Sequence, residues 1–177
     1  MLNEDKTIIL IDGVFLQDYP PTPIEVYQVV TKKNFIVFGA SSIGALRAVE
    51  LEKFGMKGYG KVFELYKKNI INSDDEVAVT FDDEYNLISE AMIDIRYNLF
   101  LSYKEEIITK ETKKIITKIA KQIYFPDRSY DNIINKTIEK FPNKENELIA
   151  FEKFIKNNRK SLKEIDAIRL LHNIANT

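Results

Sequence analysis

Asn34-Phe35-Ile36-Val37-Phe38-Gly39-Ala40-Ser41-Ser42-Ile43-Gly44-Ala45-Leu46-Arg47-Ala48-Val49-Glu50-Leu51 decides the fold. Residues 35–38 are a continuous apolar run rich in β-branched and aromatic side chains, the pattern of a buried strand. Gly39, Ala40 and Ser41 allow a tight turn. Ser41 or Ser42 can then cap a helix, an interaction worth ~1 kcal/mol. That helix carries Ile43, Ala45, Leu46, Ala48, Val49 and Leu51, so it is apolar around most of its surface and expected to be covered on more than one side. A strand that delivers small polar residues to a helix N-terminus makes a site for an anion or oxyanion, because free N–H groups and the helix dipole converge there.

Upstream, residues 7–11 read as a short strand ending at Asp12-Gly13. A carboxylate at the C-terminal end of a parallel strand lies where open α/β sheets place their chemistry, and equally where an aspartate caps a turn. Thr22, Pro23 and Glu25 form a helix-start signature, with a helix over 23–31. Strand, helix, strand, helix is most economically a parallel βαβ unit. Downstream, Gly55, Gly58 and Gly60 mark a loop with close backbone approach. A short helix over 61–68 and a third strand over 77–81 follow. Beyond Tyr85 glycine disappears and the apolar period becomes helical, predicting helices over 87–99, 107–125, 129–141 and 145–158, and a last one opened by the capping box Ser161-Leu162-Lys163-Glu164. The expected fold is α/β: a small, mostly parallel, Rossmann-like βαβ core over 1–85, then an α-helical C-terminal region over 86–177.

The totals exclude several chemistries. The formal net charge is -1, so no global positive field points to nucleic acid. There is no cysteine, which removes disulfides, thiol nucleophiles, thiolate metal sites and persulfide relays. His172 is the only histidine, so a histidine-rich metal site is excluded and a Ser-His-Asp triad would need that one residue. No basic leader and no apolar run of membrane-spanning length is visible, and a cytoplasmic protein without a membrane partner is expected.

The remaining candidates are few. Arg47 sits in an apolar helix, and an unpaired buried guanidinium would cost several kcal/mol. It either pairs with Glu50 or Asp12, or faces a cleft where it can hold a carboxylate or phosphate bidentately. Asp74, Asp75 and Glu76 suit a Mg²⁺ site, a partner's basic side chain or a general base, and equally a solvated turn. Lys110, Lys113, Lys114, Lys118 and Lys121 share one helical side, read as a solvated face or as a basic docking surface.

Four ordered motifs carry a resemblance. Ile11-Asp12-Gly13-Val14-Phe15, the run from Gly39 to Leu51, Phe54-Gly55-Met56-Lys57-Gly58-Tyr59-Gly60 and Asp74-Asp75-Glu76-Val77-Ala78-Val79 together resemble the TfuA-like family. The tail Leu162-Lys163-Glu164-Ile165-Asp166-Ala167 is similar to that family's C-terminal Leu-Lys-x-x-Asp-Ala. Ile43 replaces a usual methionine and Asn69 a usual glycine. Pro23 or Ile24 replaces a usual histidine, so no histidine can act at that position.

The resemblance implies a role beside a YcaO-type enzyme in thioamide formation. The YcaO partner uses ATP and Mg²⁺ to activate a backbone amide oxygen, and this chain needs no cofactor or metal of its own. It implies sulfide release or delivery from the C-terminal thiocarboxylate of a ubiquitin-like sulfur carrier, and contact with the substrate peptide. On that reading Ser42, or else Ser41, attacks or aligns water. Asp12, Asp74 or Asp75 serves as base or orienter, and Arg47 fixes the anion. Gly39, Gly44, Glu50, Gly58, Gly60 and Glu76 complete a binding surface, and Lys57 or Lys61 is an alternative base. A non-catalytic adaptor joining carrier to YcaO is the competing expectation. A phosphate binder is a third, although neither Gly-x-Gly-x-x-Gly nor a P-loop is present.

Overall fold

β1 (Lys6–Leu10) and β2 (Phe35–Gly39) pair in parallel, with Lys6 opposite Phe35 and Leu10 opposite Gly39. The computed structural model describes residues 6–11 and 20–176. Between the strands runs α1 (Pro23–Val30), opened by the expected capping box: Thr22 accepts from the Glu25 amide at 3.2 Å and donates its own amide to Glu25 Oε2 at 2.9 Å. The Thr22 backbone N–H, and then its hydroxyl, which donates to the same carboxylate oxygen at 2.8 Å, hold the Glu25 carboxyl below its ordinary range. After β2 comes α2 (Ile43–Leu51), and the sheet is completed by β3 (Lys57–Gly58) on the other side of β2. All three strands are parallel, which is the α/β class expected.

The third strand is not the one expected. Residues 77–81 form no strand; Val77, Ala78 and Val79 are buried after a 3-10 turn, Asp74–Glu76. Their apolar run reports burial, which periodicity does not distinguish from pairing. The edge of β2 is taken by Lys57 and Gly58 instead, and Tyr59 N extends the contact by donating to Gly39 O at 2.9 Å.

The chain forms two compact units: Met1–Val77 with Leu162–Thr177, and Ala78–Ser161. The first holds the sheet, α1, α2, α3 (Gly60–Lys67) and the last helix, α8 (Leu162–Ala175). Asn69, just after α3, has φ +53°, a left-handed conformation that asparagine tolerates. A cavity of about 200 Å³ lies against the sheet, lined by Ile8, Leu10, Val26, Val29 and Val37 with Glu25 at its margin.

The second unit is helical: α4 (Met92–Lys104), α5 (Lys110–Gln122), α6 (Tyr130–Lys140) and α7 (Glu145–Asn158) surround Ile95, Leu99, Ile116, Ile133, Leu148 and Phe151. Thr109 and Ser129 cap α5 and α6 with their hydroxyls. The first of these helices begins later than its apolar pattern predicted. Leu87 bridges to Phe81, Ile88 N donates to Thr80 O at 2.9 Å and Glu90 N donates to Arg128 O at 2.7 Å, so the helix begins only at Met92. Lys110, Lys114, Lys118 and Lys121 line the exposed side of α5. Among the described residues no helix is long and apolar enough to cross a membrane.

Two glycines permit the closest contact in the first unit. A Cβ on Gly44 would lie 1.9 Å from Leu10 O, and one on Gly39 would lie 2.1 Å from Gly44 O. Both obstacles are backbone atoms and cannot swing aside. Gly44→Ala is therefore expected to cost more than ~4 kcal/mol of stability or to prevent folding. Thr22→Ala, which removes only a cap, should cost ~1 kcal/mol. Urea unfolding of the two variants measures the contrast.

Candidate functional site

The turn from β2 into α2 positions two adjacent serines. Ser41 stands at φ +71°, a left-handed conformation that costs a non-glycine residue ~1–2 kcal/mol. Ser42 N donates to Ile11 O at 3.1 Å and Ala40 O at 3.0 Å, while Ser42 O accepts from Ala45 N and Leu46 N and starts the helix. The amides that open α2 have no acceptor inside the helix, so partial positive charge gathers beside the serines. Both serines are buried.

Ser42 does not cap α2 as its position suggested. An N-cap serine normally has an extended backbone, whereas Ser42 has φ −111° and ψ −119°, and its hydroxyl makes no cap bond. It donates instead to Val77 O at 3.3 Å. The same carbonyl accepts from Lys163 Nζ at 3.1 Å. A serine hydroxyl and a buried lysine thus meet at one oxygen, and Oγ and Nζ lie within two hydrogen-bond lengths of each other.

Lys163 belongs to α8, and Asp166 one turn later explains how that helix is held. Asp166 Oδ2 accepts from Val62 N at 2.7 Å, at the start of α3. Gly60, at φ +91°, makes room: its Cβ would fall 2.4 Å from Asp166 Cγ. Burial raises the Asp166 carboxyl above its ordinary value, against the lowering pull of the Lys61 and Val62 amides and of Arg169. Gly58 is equally constrained, since its Cβ would fall 2.0 Å from the Phe63 ring. Gly39, Gly44, Gly58 and Gly60 therefore all have packing reasons to be glycine.

The acidic turn is graded in exposure: Asp74 is exposed, Asp75 half-buried and Glu76 buried. Asp75 Oδ1 accepts from Ser73 Oγ at 2.5 Å. Tyr66 donates to Ser73 O at 3.0 Å, and burial, reinforced by the charges of Glu76, Asp74 and Asp75, pushes its phenol above the usual range. Arg47 pairs with Glu50 at 2.7 Å and donates through Nε to Pro21 O at 3.1 Å, so of its two expected partners Glu50 is the one seen. Asp12, the other, lies outside the described residues. Among the described residues no three histidine, aspartate or glutamate side chains gather as a metal site. Lys57 places its ammonium over the Phe38 ring and Lys61 pairs with Glu64, so the lysine found at the serine turn is Lys163.

A family model described as TfuA-like protein matches residues 12–129, more than half of the chain. The chain belongs to the TfuA-like family. No curated protein matches it. The matched span of this TfuA-like protein holds both serines, Arg47 and the acidic turn. Lys163 and Asp166 lie beyond that span, in the C-terminal Leu-Lys-x-x-Asp-Ala motif. That motif was the one sequence signal able to draw attention to Lys163, and its meaning needed the fold: its lysine reaches the serine turn and its aspartate the start of α3.

The raised Asp166 carboxyl has a definite sign. A group that holds its proton more tightly when folded stabilises the protein at acid pH and loses that contribution as pH rises through the folded pKa. Asp166→Asn keeps an acceptor for Val62 N without the titration. The melting temperature of the wild type relative to Asp166→Asn should therefore fall as pH rises above about 3.8, the ordinary aspartate value. Thermal melts of both proteins from acid to neutral pH measure it.

Proposed function

We propose that this TfuA-like protein acts with a YcaO-type enzyme in backbone thioamidation of a peptide or protein, by releasing sulfide from the thiocarboxylate of a ubiquitin-like sulfur carrier. The observation that carries this reading is the left-handed Ser41 at the strand-to-helix turn. Strain retained beside open helix amides is how a turn presents a nucleophile and holds an oxyanion. Ser41 is the better candidate for attack, because Ser42 directs its hydroxyl to Val77 O.

The chemistry balances without a cofactor on this chain. Ser41 Oγ bonds to the carbonyl carbon of the thiocarboxylate, the C–S bond breaks, and the hydroxyl proton leaves with sulfur as HS⁻. Water then hydrolyses the acyl-serine to the carrier's carboxylate, restoring the hydroxyl and releasing one proton. The amides opening α2 hold the oxyanion of each tetrahedral intermediate. With no cysteine available, sulfur leaves this protein as sulfide and not as a persulfide. ATP and Mg²⁺ serve the YcaO partner, where HS⁻ replaces the activated amide oxygen.

One observation favours a second reading. Ser41 and Ser42 expose only 3% and 0% of their surface, which suits an adaptor that joins carrier to YcaO while the serines merely shape the turn. Ser41→Ala and Ser42→Ala, each checked for an unchanged circular dichroism spectrum, separate the two. Sulfide release from thiocarboxylated carrier should fall by about 100-fold or more in Ser41→Ala. Full release by both variants overturns the hydrolase and leaves the adaptor.

A further inference from the structure

We infer that the exposed side of α5 is a docking face for a protein partner that presents a row of carboxylates on a helix. This face lies in the helical unit, apart from the serine turn, and the inference goes beyond the sulfur-release reading. Lys110, Lys114 and Lys118 are exposed and stand four residues apart, so their stems leave the helix at intervals of about 6 Å. Like charges at that spacing repel and disfavour the helix that carries them. Other exposed sides of the protein avoid this by mixing signs: Lys61 pairs with Glu64, Lys156 with Glu152 and Lys144 with Glu111. Glu111 is the one carboxylate on α5, and it is committed to Lys144. Among the described residues no carboxylate forms an ion pair with Lys110, Lys114 or Lys118. A face that only had to stay wet would not need to keep that repulsion.

Two aromatic rings border the row. Phe100 and Tyr103 of α4 are 41% and 38% exposed, large side chains left open beside a charged helix. Lys113 places its ammonium 5.6 Å from the Phe100 ring centre and 5.4 Å from that of Tyr103, and Lys104 lies over Phe100 at 5.9 Å. Open aromatic rings rimmed by charge have the make-up of a protein interface. The same contacts speak against nucleic acid. Ammoniums already lie over the rings on which bases would stack, and α5 has no arginine to grip phosphate with two bonds. A partner helix with glutamates four residues apart repeats the lysine interval, and its neighbouring apolar side chains meet Phe100 and Tyr103. The partner's class is therefore an amphipathic acidic helix.

Fluorescence anisotropy with the full-length protein tests this. The probe is a labelled synthetic helix with glutamates at every fourth position and leucines on the adjoining stripe. The same peptide with glutamine for glutamate, an oligothymidylate, and vesicles of phosphatidylserine and phosphatidylcholine are the comparisons. The acidic peptide is expected to bind about tenfold more tightly than the glutamine peptide at low salt, and the preference should fade as salt rises. Lys114→Glu should remove most of that preference. It also sets opposite charges beside Lys110 and Lys118, so the melting temperature should hold or rise, and lost binding is then not lost fold. Equal affinity of wild type for the two peptides, binding of neither, or a preference that survives Lys114→Glu overturns the docking face. Tighter binding of the oligothymidylate or the vesicles than of the acidic peptide overturns the protein partner. Sulfide release from the carrier is measured separately and decides neither outcome.

Discussion

The contact on which the rest depends is the meeting of Gly44 with the Leu10 carbonyl. Side chains longer than hydrogen are excluded there, and Gly39 makes the same concession to Gly44 O. Because of those two positions, the first turn of α2 sits directly against the C-terminal ends of β1 and β2. Ala40 N and Ser42 N can then donate to Leu10 O and Ile11 O, and the turn closes with Ser41 in its left-handed conformation. The polar end of a helix is brought to the mouth of a parallel sheet, the place where open α/β folds put their ligands.

A second set of contacts closes the same region from far along the chain. Asp166 takes the amide at the start of α3, Gly60 leaves it room, and Lys163 reaches the carbonyl that Ser42 also addresses. The C-terminal motif therefore does two tasks with two residues three positions apart. Such a pair lies on one face of a helix, so fixing one side chain fixes the direction of the other. The acidic turn stands just before Val77, and its residue exposure runs from open at Asp74 to closed at Glu76.

Much of this was legible in the sequence because it is local. β1, β2, the Thr22 capping box, α1, α2, α5 and α6 follow from short-range pattern and cap chemistry, and so does the serine turn. The failures are equally physical. Residues 77–81 looked like a strand because buried apolar runs look alike whether or not their backbones pair. Leu87 and Ile88 looked helical, but Leu87 bridges to Phe81 and Ile88 N donates to Thr80 O, so the helix starts only at Met92. Ser42 looked like a cap, but its backbone angles turn its hydroxyl toward Val77. The boundary drawn at 85 followed composition. α8 belongs with the first unit, a grouping that the Asp166–Val62 contact helps to explain and that no periodicity can report.

The central claim is that the serine turn of this TfuA-like chain releases sulfide by itself. The direct measurement is sulfide evolved by catalytic amounts of the wild-type protein from thiocarboxylated carrier, with neither YcaO enzyme nor ATP present. The account predicts many equivalents of sulfide per protein chain, with carrier carboxylate formed in equal amount. Sulfide that appears only after a YcaO enzyme and ATP are added would contradict it.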